Sequence, residues 1–209
     1  MLTIKTIAAS VCLVCAGATF CLKSALAQEA GAGAGAVAVA AAAQARDTPL
    51  PGTLQAGSGE LRFLGMAIYQ ARLWVSPLFD ARDHGMHPLA LELTYRRAFS
   101  AAAIARRSLE EMQRIGPITA PQATRWQQAL QAALPDVQAG DRLVGLYQPG
   151  SGATFALNGR TVGTVADPEF ARLFFGIWLS PLTSQPGLRT ALLGTHAQAS
   201  APMQVKAQP

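Results

Sequence analysis

The chain has 209 residues, 50% of them hydrophobic, with a formal net charge of +5 and three cysteines. That length bounds one domain of ordinary size with enough chain to bury a core. The arginines are scattered and adjoin carboxylates or apolar residues, as in "RRSLE" and "GDR", which argues against nucleic acid. No basic amphipathic helix suggests a membrane surface.

Lys5 precedes an apolar run from Ile7 to Phe20, and Ala25-Leu26-Ala27 offers small residues where a signal peptidase reads. Residues 1–27 are therefore expected to be a cleaved signal peptide, with the mature protein starting at Gln28 in the periplasm. A lipoprotein would need small residues just before Cys21, where Thr19 and Phe20 stand. Cys12, Cys15 and Cys21 all fall in the removed segment, so the mature protein is expected to be cysteine-free and to rely on its core. Loss of Lys5 and Lys23 leaves a charge of about +3. Residues 28–49 form an Ala/Gly tract read as a flexible tether, residues 50–194 the domain, and residues 195–209 a small, polar, disordered tail.

Within the domain, "LRFLGMAIYQARLWV" is rich in strand formers. Its alternation puts Leu61, Phe63, Ala67, Tyr69, Ala71 and Leu73 on one face and Arg62, Leu64, Met66, Ile68, Gln70, Arg72 and Trp74 on the other. Gly65 marks a bulge or a hairpin that splits this run. "LALELTYRR" is a cleaner half-buried strand, with Leu89, Leu91, Leu93 and Tyr95 opposite Ala90, Glu92, Thr94 and Arg96. A helix from Ser100 to Ile115 carries Ile104, Ala105, Ser108, Leu109, Met112 and Ile115 inward, and its charged residues, Glu110 and Glu111 among them, read as a solvated face. The next helix opens on a Thr119/Gln122 capping box and turns Trp126, Leu130, Ala133 and Leu134 inward.

The period then returns to two. Residues 140–167 read as a meander, with a Pro-Gly turn and Asn158-Gly159 as a hairpin signal. The most apolar helix follows, from Pro168 to Ser180, opened by Asp167 and stopped by Pro181. Its dozen apolar residues fall short of the roughly 20 a membrane span needs. Being apolar on nearly every side, it must be covered on nearly every side: Phe170, Phe174 and Trp178 are expected to face the sheet, and Phe175 or Leu179 to reach a cleft. "SQPGLRTALLG" ends the domain with a short helix capped by Gly194. Strands, helices, strands and helices in that order predict an α+β domain, an antiparallel sheet with helices on one side.

Little in this pattern carries catalytic chemistry. The Gly-Ser-Gly triplets at Ser58 and Ser151 lack nucleophile-elbow spacing. His84 and His87, with Asp80 and Asp83, lie in a loop without metal-ligand spacing, so no metal and no cofactor is expected.

Taken together, "GMAIYQARLWV", "LALELTYRRAFS", "LPDVQAGDRLVGLYQPGSGATFALNGRTVG" and "DPEFARLFFGIWLSPLTSQPGLRTALLG" resemble the bacterial chalcone isomerase-like domain over essentially all of residues 50–194. The resemblance implies an open-faced antiparallel β-sandwich with a helical layer on one side and a ligand cleft between the layers. Two activities occur on that fold: flavanone ring closure, which uses a strand arginine and hydroxyl donors, and fatty-acid binding, in which an arginine and a tyrosine hold a carboxylate. By that resemblance Arg62 is the anion-binding arginine and Tyr69 the cleft hydroxyl, with Tyr95, Phe175 and Leu179 as further ligand contacts. The relatives place arginine and hydroxyl an even number of residues apart, whereas Arg62 and Tyr69 are seven apart. In a regular strand Leu61 therefore takes the arginine's place, and a bulge or turn at Gly65 would restore the phase. The expectation is an exported, non-catalytic protein that binds a small amphipathic or hydrophobic ligand. An intramolecular lyase of the chalcone isomerase type is the alternative, and a protein–protein module a third reading.

Overall fold

The structure, a computed structural model, describes residues 48–194. The expected signal peptide, the tether through residue 47 and the tail from residue 195 lie outside the described residues. Six strands, β1 (Leu54–Phe63), β2 (Met66–Val75), β3 (Leu89–Tyr95), β4 (Arg142–Gln148), β5 (Gly152–Leu157) and β6 (Arg160–Val165), form one antiparallel sheet in chain order. Helices α1 (Ala101–Ile115) and α2 (Ala120–Ala133) lie between β3 and β4 in the chain, and α3 (Pro168–Leu179) and α4 (Pro186–Leu193) follow β6. Among the described residues no helix is long and apolar enough to cross a membrane.

The run from Leu61 to Val75, expected to be split by a bulge or hairpin at Gly65, is two strands joined at Leu64-Gly65, both at positive φ (49° and 78°). That backbone twist suits a two-residue hairpin, and Asn158-Gly159 repeats it at 51° and 83°. The first half of the hairpin was hidden because "LQAGSGE" has few strand formers. Its glycines answer to packing instead: a Cβ at Gly57 would stand 2.2 Å from the Ala191 carbonyl oxygen, and one at Gly59 2.7 Å from a Leu188 methyl. Helix α4 can lie this close to β1 only because those side chains are missing.

Strand alternation then sorts the two faces. Leu73, Leu91, Leu93, Leu143, Tyr147 and Phe155 join the helices in the main core. The opposite face carries a smaller cluster of Trp74, Ala90 and Val144, with Leu50 and Leu146 against it. Glu92, expected on a polar strand face, is only 2% exposed there, flanked by Arg72 and Arg142 at 3.5 Å each. Burial of a carboxylate between two arginines satisfies the rule that buried charges are paired.

Local signals place the helices. Ser100 accepts the Ala103 amide to start α1, and Thr119 and Gln122 close the expected capping box on α2. Asp167 accepts the Phe170 amide at 3.0 Å to start α3 and also takes the Trp126 indole N–H at 2.7 Å, which ties α2 to α3. Trp126 is 1% exposed, as its inward stripe predicts. Helix α3 is buried almost all round and packs against α1, α4 and β5.

Candidate functional site

The hairpin register decides which side chains meet. Leu61 pairs with Tyr69 across β1 and β2, and Tyr69 with Tyr95 across β2 and β3, so all three share one row on the helix-facing side. The two tyrosine rings meet edge-on, centroids 5.9 Å apart, and Phe99 extends the row at 5.9 Å from Tyr95. Above this row α3 contributes Phe174, Ile177 and Trp178, and α1 contributes Ile104, Arg107 and Glu111. Between the layers lies a cavity of about 420 Å³, largely apolar in its walls. Drug-sized ligands occupy pockets of roughly 300–1,000 Å³.

Its polar groups are few. The Trp178 indole N–H donates to the Tyr69 hydroxyl at 2.9 Å. Burial pushes the Tyr69 pKa up to about 12, against the lowering effect of the Trp178 bond. Burial also raises the Tyr95 pKa, with a smaller contribution from Tyr69. Both hydroxyls therefore stay protonated in the neutral range. Arg107 and Glu111 are the charged residues of the wall, and they are paired with each other, Arg107 also reaching Glu110 at 3.1 Å. Glu111 is 5% exposed.

Of the residues singled out from the sequence, Tyr69 and Tyr95 come together in the wall. Arg62 does not join them. A bulge between Leu61 and Arg62 sets the register, yet it leaves Leu61 opposite Tyr69 and turns Arg62 to the exposed side, where it bonds Glu60 at 2.6 Å and the Gly65 carbonyl at 2.8 Å. The turn at Gly65 thus exists without bringing the arginine into the cleft. Phe175 and Leu179 are likewise corrected: both are fully buried in the core, Phe175 against Tyr147 and close over Gly145, while Phe174, Ile177 and Trp178 take the cavity side. Helix rotation is the cause, because a helix apolar on every side does not announce its phase.

Glu111 and Arg107 were missed as site residues. Glu111 was expected in solvent, but Ile104, Ser108 and Glu111 follow one another at spacings of four and three, which is one helix face. His84 of the loop once considered for metal has its ring nitrogen 3.5 Å from the Arg172 carbonyl, and Asp80 pairs with Arg82 at 2.8 Å. Among the described residues no three metal-binding side chains cluster.

No curated protein sequence matches the chain. Among solved structures, a fatty-acid binding protein of Arabidopsis thaliana aligns with a TM-score of 0.54 at 12% identity, over 70% of this chain and 89% of that one. Such a likeness speaks for the fold. The profile of the family described as chalcone isomerase-like matches residues 42–194, which takes in every strand and helix described above, and the chain belongs to that family.

Proposed function

We propose that the protein binds an amphipathic organic ligand, fatty-acid-like or aromatic, between sheet and helices and does not turn it over. The observation that carries this reading is the cavity of about 420 Å³, apolar in its walls and edged by the protonated hydroxyls of Tyr69 and Tyr95. A binder needs an apolar cleft and one or two polar anchors. Ring closure needs donors preorganised toward developing charge. Here the guanidinium of Arg107 is already engaged by two carboxylates, and Leu61 rather than an arginine stands beside Tyr69. The likeness to a protein named for fatty-acid binding supports the same reading.

Thermal unfolding with a panel of C12 lipids and flavonoids tests it. A binder should gain stability, by about 2.7 kcal/mol at a hundredfold excess of ligand over its Kd. No shift with any member would overturn it, and chalcone cyclisation lost on Tyr69→Phe would make the protein an enzyme. Export to the periplasm belongs to the same proposal, supported by Ala25-Leu26-Ala27 and the apolar run before it. Intact-mass analysis should find Gln28 as the first residue, and a diacylglycerol on Cys21 would refute that.

A further inference from the structure

The few polar groups of the largely apolar cavity carry no net charge. Its two ionic residues, Arg107 and Glu111, neutralise each other. Around them the count stays even: Arg107 also holds Glu110 at 3.1 Å, and Arg114 lies 3.7 Å from Glu111 Oε2. No cation on the wall is left over for an incoming anion. A carboxylate entering here would shed water without gaining a counter-charge, unless it displaced Glu111 from Arg107 and left that buried side chain unpaired.

The polar side chains of the wall are not all satisfied. Glu111 Oε2 is buried and accepts no hydrogen bond. The Tyr95 hydroxyl, on a residue 4% exposed that lines the cavity, makes no hydrogen bond among the described residues. One is an acceptor in want of a donor; the other is a donor in want of an acceptor. Tyr69 meets Tyr95 ring to ring and lines the same wall as Glu111. Unpaired groups of this kind favour whatever ligand completes them.

Resting on the binding role proposed above, we infer that the cavity selects a ligand whose polar end is uncharged and carries an O–H or N–H donor, such as a long-chain alcohol, a phenol or an amide, over one ending in a carboxylate. The head group donates to Glu111 and accepts from Tyr95, while the apolar tail runs along Phe174 and Ile177.

The experiment titrates the full chain at pH 8 with 1-dodecanol, methyl laurate and laurate, read by tryptophan fluorescence, to which Trp178 of the cavity wall contributes beside Trp74 and Trp126. The three share a C12 tail; only the first is a neutral donor, the second is neutral without a donor, and the third is charged. Dodecanol should bind at least about tenfold tighter than either of the others. Glu111→Gln, which removes the buried carboxylate and leaves Arg107 only its exposed partner Glu110, should shrink the penalty on laurate severalfold. Laurate binding as tightly as dodecanol would overturn the inference, and so would methyl laurate matching it, both leaving the binding role intact. An unchanged laurate ratio in a folded Glu111→Gln protein would do the same. If none of the three binds, the inference is overturned, while the binding role is still decided by the flavonoids of the thermal panel; the wild-type comparison needs no variant to fold.

Discussion

The indole nitrogen of Trp178 and the hydroxyl of Tyr69 meet at 2.9 Å, joining α3 to the second strand of the sheet at the wall of the cavity. This bond fixes the depth at which the aromatic helix sits over the Leu61–Tyr69–Tyr95 row. Tyr69→Phe removes the acceptor and leaves a largely buried indole N–H unpaired, which costs about 1–3 kcal/mol. Chemical denaturation measures it. A double-mutant cycle with Trp178→Phe should return a coupling of the same sign, and zero coupling would show that the two groups act independently.

All three tyrosines of the chain, Tyr69, Tyr95 and Tyr147, have pKa values raised by burial, Tyr69 to about 12. A phenol that ionises later in the folded state than in the unfolded one contributes stability that is complete below the unfolded value of about 10 and is lost as pH rises through the folded value. Ultraviolet titration of the native protein should therefore show no tyrosinate step centred near pH 10. A step at that pH in still-folded protein would place at least one hydroxyl in open water.

Asp167 offers the opposite sign. Burial alone would raise its pKa, but the amides of Phe170 and Glu169, the Trp126 indole and Arg125 together hold it below the usual carboxylate range. Its contribution is complete above the unfolded value of about 3.9 and disappears as pH falls through the depressed folded one. Asp167→Ala loses the cap of α3 and orphans the Trp126 N–H, a cost of about 2–3 kcal/mol near neutral pH. Urea melts from pH 7 down to about pH 2 should show that cost constant to about pH 4 and shrinking below it, whereas a difference unchanged at the acid end would assign it to packing.

These contrasts mark what the residues disclose on their own. Caps, turns and period were legible because each rests on a local preference: Asp167, the Thr119/Gln122 box and Asn158-Gly159 fall where expected. The strand before the Leu64-Gly65 turn was not, since Gly57 and Gly59 are there to admit α4 and carry no strand signal of their own. The site was half legible. Tyr69 and Tyr95 follow from alternation, but their meeting with Leu61 depends on a bulge, and the displacement of Phe175 by Phe174 and Trp178 depends on helix rotation. Glu111 was lost for a different reason: a charged residue beside Arg107 looks like surface until tertiary packing buries it.

The position of Leu61 leads to the sharpest test of how the cavity treats charge. Leu61 is half-buried, lines the cavity and stands directly across from Tyr69, while the neighbouring Arg62 spends its charge on Glu60 outside. Leu61→Arg places a guanidinium on the cavity side of the row without altering the Arg107–Glu111 pair. A partly buried cation beside a hydroxyl donor is what a carboxylate head group lacks in the wild-type cavity, and charge-assisted bonds of that kind are about twice as strong as neutral ones. The substitution should cost roughly 1–3 kcal/mol in stability, through overpacking and lost apolar contact. In exchange, laurate should gain about tenfold in affinity relative to dodecanol, with a salt dependence weaker than that of exposed charges. Paired fluorescence titrations at low and high ionic strength measure both quantities. If the ratio does not move in a folded variant, the ligand's polar end lies away from the Leu61–Tyr69 row, and the anchor must be sought on the α1 side of the cavity alone.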